Sequence, residues 1–202
     1  MASWRRSPWF WMVVLFGVLL ALMAVAPPER TLGENIRTVY LHGAWVWAAL
    51  AAFLVAGGVG VAALALRKPR WHAWSRAWGR TGLLLWVTYL PLSLWAMQTN
   101  WNGLYLAEPR WRLGLIYAVT GLLLQVGLAF FPASWASAAN ALYITALLWS
   151  LAHTEQVMHP PSPMLRGGSW AIHLTFVVAV ALMLGIAWQI TRLWMRLEQD
   201  GE

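Results

Sequence analysis

The feature that most constrains this chain is a set of long apolar runs nearly free of charge. They are Trp9 to Ala26, Val39 to Leu66, Thr81 to Met97, Leu113 to Phe131, Ser134 to Leu151 and Ser169 to Leu193. Crossing bilayer hydrocarbon takes roughly 20 largely apolar helical residues. In lipid, only a chain that satisfies its own backbone hydrogen bonds can span. Six such runs predict an all-α, polytopic bundle of six transmembrane helices in one domain, residues 1–202. Composition agrees: 10% of the 202 residues are charged and 60% are hydrophobic, where soluble domains carry roughly 25% charge.

Punctuation between the runs sets the boundaries. Pro27-Pro28 end the first, Arg67-Lys68-Pro69-Arg70 close the second, Pro132 stops the fourth, and Ser169 after Gly167-Gly168 is a candidate N-cap for the sixth. The first run follows Arg5-Arg6 as a signal peptide would, but it exceeds the usual 7–15 residue apolar core and is expected to be a retained helix. Of the 14 basic residues, nine (Arg5, Arg6, Arg67, Lys68, Arg70, Arg76, Arg80, Arg192, Arg196) fall on one side of an alternating thread. The other five (Arg30, Arg37, Arg110, Arg112, Arg166) fall on the opposite side. Basic loops stay in the cytoplasm, so both termini are expected there, in an inner (plasma) membrane, with residues 27–38, 98–112 and 152–168 outside. The same asymmetry explains the net charge of +7 without a nucleic-acid partner; the expected surroundings are the lipid bilayer.

Chemistry has few residues to work with. There is no cysteine, which removes disulfides, thiolate metal sites and thiol relays. No nucleophile elbow, HExxH or P-loop is present, and only Arg192, closing the sixth run, puts a charge inside a span, so catalysis and ion pumping are not expected. Many of the 17 tryptophans flank span ends, where indoles anchor at headgroup level. Three histidines lie at the outer mouths: His42 at the start of the second span, and His153 and His159 after the fifth. Neutral imidazole is a common axial ligand of haem iron, and either third-loop histidine could oppose His42. His173 is expected to be a buried polar contact or supporting donor, and His72 an interfacial residue on the cytoplasmic side. Between the histidines runs the loop from Trp101 to Arg112. Arg110 and Arg112 offer planar forks that suit a propionate, and Trp101, Tyr105 and Trp111 offer faces for a porphyrin. The competing reading is an interfacial loop whose charges neutralise each other, Glu108 against Arg112 for example.

These segments carry a family resemblance. Ile36-Arg37-Thr38-Val39-Tyr40-Leu41-His42 resembles the I-x-x-(I/V)-Y-L-H entry to the second span of the haem-handling proteins of cytochrome c assembly, in their six-span maturation protein C branch. Trp101 to Arg110 lies without gaps on that family's W-G-x-W-W-V-W-D-x-R stretch, with Trp101 on the first Trp, Glu108 on the Asp and Arg110 on the Arg. His153 falls where the family closes its fifth span with a histidine, and Met158-His159-Pro160 resembles a later element. Leu104, Tyr105 and Ala107 stand where the family has tryptophans, and the stretch between the two third-loop histidines is short. The resemblance implies a non-enzymatic haem b carrier with His42 and His153 (or His159) as iron ligands and Arg110 on a propionate. Its partners would be apocytochrome c or a haem chaperone and other membrane subunits of cytochrome c maturation. The alternative is a non-catalytic membrane subunit of an exporter or respiratory assembly that has lost the ligand.

Overall fold

The computed structural model describes residues 7–158 and 169–200; His159 and Arg166 lie outside that range. Six helices make up nearly all of it: α1 Pro8–Val25, α2 Ile36–Leu66, α3 Pro69–Trp101, α4 Pro109–Leu128, α5 Ala133–Ala152 and α6 Trp170–Asp200. All but α3 are long and apolar enough to cross a membrane. The apolar run of α3 is diluted by Thr81, Thr88, Tyr89, Pro91 and Ser93, yet Thr81 to Met97 holds no charge. Its two threonine hydroxyls are satisfied within the helix: Thr81 donates to the Ala77 carbonyl and Thr88 to the Leu84 carbonyl. The chain is an all-α membrane bundle.

Where packing occurs follows from residue size. Lipid tails are as apolar as leucine, so membrane helices associate through close contact of small residues and a few hydrogen bonds. α2 buries Ala44, Ala48, Ala52, Ala56, Gly57, Gly60 and Ala63 against α3 and α5, its chief neighbours. At Gly60 an added Cβ would come within 2.6 Å of the Ser137 carbonyl oxygen, so α2 and α5 touch there backbone to backbone. α3 contacts α2, α4, α5 and α6, whereas α1 leans on α6 and lightly on α2. Many other large apolar residues face outward, Leu123 at 70% and Leu142 at 72% exposure among them, the surface a hydrocarbon solvent requires.

Several expected bounds shift, each for a local reason. α3 begins at Pro69, not near Thr81, because proline at N1 suits a helix start. Its added turns are tied into the bundle where His72 Nδ1 and Ser137 Oγ share a 2.7 Å hydrogen bond and Ser75 donates to the Ala56 carbonyl. His72 is therefore a bridge between α3 and α5 as well as an end-of-bundle residue. α4 begins at Pro109, not Leu113. α6 runs past Leu193, held by Arg80, which pairs with Glu198 at 3.0 Å and lies over the Trp194 ring.

Candidate functional site

One end of the bundle collects the C-termini of α1, α3 and α5 with the N-termini of α2, α4 and α6. Here the first turn of α2 is fastened to the last turn of α3. Asn35 Nδ2 donates to the Thr99 carbonyl at 2.8 Å, the hydroxyls of Thr38 and Thr99 meet at 3.0 Å, and Asn100 Nδ2 donates to Thr38 Oγ1 at 3.0 Å. His42 sits one turn beyond this clasp, half-buried, with its ring 5.8 Å from that of Tyr89 and tilted by 47°. Tyr89 is held in turn: its ring abuts Trp86 edge-on at 4.7 Å, and the Trp86 indole N–H donates to the Gly114 carbonyl at 3.0 Å. A Cβ at Gly114 would overlap the Tyr89 hydroxyl, so only glycine lets α4 approach this closely. His42 is thus backed by aromatic rings locked between α3 and α4.

The loop after α3 turns at Asn102, whose φ of 54° is the left-handed conformation that ends many helices. Glu108 then starts α4. Its Oε2 accepts the Trp111 peptide N–H at 2.6 Å, an acidic cap at the positive end of the helix dipole, with Pro109 at N1. Only 2% of Glu108 is exposed, and its Oε1 is buried with no hydrogen-bond partner; the Trp111 indole N–H is buried and unpartnered as well. Glu108 makes no ion pair with Arg112, unlike Glu34, which pairs with Arg37, and Glu198, which pairs with Arg80. Arg112 instead donates through Nε to the Leu106 carbonyl at 3.1 Å, and both Arg110 and Arg112 are exposed. Trp101 and Tyr105 meet edge-on at 5.6 Å, with Tyr105 turned outward.

His153 caps the C-terminus of α5 at the same end. It is exposed, its ring stacks on exposed Trp149 at 4.6 Å, and its Nδ1 lies 2.8 Å from the Trp149 carbonyl oxygen. A carbonyl can only accept, so Nδ1 is the donor in this bond and Nε2 is the ring nitrogen left for another partner. That is the tautomer and second hydrogen bond that a metal-ligating histidine usually has. His173 is half-buried in the first turn of α6, its peptide N–H bonded to the Ser169 carbonyl at 3.2 Å.

The expected residues therefore share one end of the fold but differ in role. His42, His153, Trp101, Tyr105, Arg110 and Arg112 offer rings, a lone pair and unpaired cations. Glu108 shapes the start of α4, and Trp111, half-buried, belongs partly to the packing. Sequence reading missed Tyr89, Gly114 and the Asn35–Thr38–Thr99–Asn100 clasp; polar residues at both ends of a predicted loop pair were the available signal. No group of three or more His, Cys, Asp or Glu able to hold a bare ion occurs among the described residues, whereas haem, which brings four nitrogens of its own, asks the protein for at most two. A crevice lined by Phe53, Gly121, Gln125, Asn140 and Tyr143 lies elsewhere in the bundle and contains no histidine. No family model, characterised protein or solved structure matches the chain.

Proposed function

We propose that the chain binds haem b as cargo at the end bearing His42 and presents it outside the membrane for cytochrome c assembly. The observation that carries this reading is that one end of the bundle holds His42, braced by Tyr89, His153, whose Nδ1 is committed to the Trp149 carbonyl so that Nε2 is left over, and two exposed arginines that pair with no carboxylate. The residues fit haem by chemistry: imidazole for iron, guanidinium for propionate, indole and phenol for the porphyrin edge. Bound there, haem would supply the iron and the tetrapyrrole that a receiving apocytochrome or haem chaperone needs, while the chain itself makes no bond. Other maturation subunits would hold the acceptor nearby, in an inner membrane with both termini of this chain cytoplasmic. A second reading, a membrane subunit that retains the fold and has lost the ligand, draws on Glu108 and Trp111, which turn into the bundle at the heart of the family-like loop.

Purified protein titrated with haem separates the two. His42→Ala should abolish or convert the Soret band, and one, and only one, of His153→Ala and His159→Ala should do the same, with His72→Ala silent in the spectrum. Arg110→Gln with Arg112→Gln should weaken affinity, each charge-assisted contact being worth on the order of 1.5–3 kcal/mol. Absence of saturable binding, or binding indifferent to His42, would leave the structural-subunit reading in its place.

A further inference from the structure

The loop between α3 and α4 exposes three consecutive large apolar side chains: Leu104 at 53%, Tyr105 at 41% and Leu106 at 49%. They are held in place, not splayed by chance, since the Glu108 N–H donates to the Tyr105 carbonyl at 3.0 Å and Arg112 Nε to the Leu106 carbonyl at 3.1 Å. The single acid of the segment from Gln98 to Arg112 is Glu108, and it is buried. The accessible face of the loop is therefore an apolar tip beside two guanidinium groups, Arg110 and Arg112, with no carboxylate within ion-pairing distance.

We propose that this loop is a membrane hook: Leu104, Tyr105 and Leu106 enter the leaflet next to the bundle end, and Arg110 and Arg112 hold the phosphates of anionic phospholipid. The charge pattern selects that occupant. A leaflet offers phosphates for the arginines and acyl chains for the leucines, with tyrosine at home at the boundary. Left in water, the three side chains would keep exposed the apolar surface that burial in the leaflet removes from water. The inference is independent of haem, because it concerns the loop in the haem-free protein.

The chain has no cysteine, so Leu104→Cys and Leu106→Cys can each carry a single nitroxide. The full-length, haem-free variants would be reconstituted in vesicles of equal parts phosphatidylcholine and phosphatidylglycerol. Both labels should collide more often with lipid-soluble oxygen than with a water-soluble nickel chelate. Adding Arg110→Gln and Arg112→Gln should raise nickel access in these vesicles but not in pure phosphatidylcholine. Labels that nickel reaches freely in the unmodified-arginine background overturn the hook, as does shielding that develops only when a partner protein is added. Indifference to the arginine changes overturns their role on phosphate. Circular dichroism of each variant confirms that the helices are intact, and haem titration of the single-cysteine samples that keep Arg110 and Arg112 reports separately on the cargo site.

Discussion

Glu108 illustrates how much one side chain can decide at this end of the molecule. Its carboxylate closes the first turn of α4, and its burial leaves Arg110 and Arg112 without a local counter-charge. Glu108→Ala should lower thermal stability in detergent by roughly 0.5–2 kcal/mol, the usual range for a lost N-cap, and Glu108→Asp should lose less. A full-size loss from Glu108→Asp together with none from Glu108→Ala would contradict the capping role. Residue types at the site were legible in the sequence, since His42, His153 and the arginines stand out in so apolar a chain. Their surroundings were not. Nothing local distinguishes a buried Glu108 from one paired with Arg112, and Tyr89 meets His42 only because α3 lies beside α2, 47 positions along the chain by direct count, with Gly114 clearing space for its hydroxyl.

At the level of helices, the small-residue seam of α2 offers a paired test. Gly60→Ala would force a Cβ to within 2.6 Å of the Ser137 carbonyl oxygen, while Gly58 has nothing within 4 Å of the corresponding position. Overpacking of a tight seam typically costs about 1–3 kcal/mol, so Gly60→Ala should unfold at lower denaturant concentration. Gly58→Ala should be neutral or gain up to about 1 kcal/mol from helix propensity. Equal effects of the two would mean that α2 and α5 do not meet as described. The six helices themselves were readable from hydropathy because bilayer thickness dictates their length. Their ends were less so: Pro69 and Pro109 start helices several residues earlier than hydropathy alone places them, since polar residues can be helical once outside the apolar slab.

For the molecule as a whole, the prediction is one of sidedness. A reporter fused after Glu202 should respond as cytoplasmic, and one inserted at Gly103 as external, given the nine-to-five division of basic residues between the two ends of the thread. The reverse outcome would place His42 and Arg110 in the wrong compartment for delivery to a cytochrome c. The clasp of Asn35, Thr38, Thr99 and Asn100 adds a mechanical constraint on how anything enters that end. α2 and α3 are joined at the far end through Arg67 and Lys68 and tied again at the near end, like the two sides of a ladder with a rung at top and bottom. Such a frame resists scissoring, so in the proposed site it would be the fixed jamb. On the proposed reading, a door for a cargo as broad as a porphyrin would swing on α1, α4, α5 or α6, and His153, riding the end of α5, would travel if α5 moves while His42 stays still.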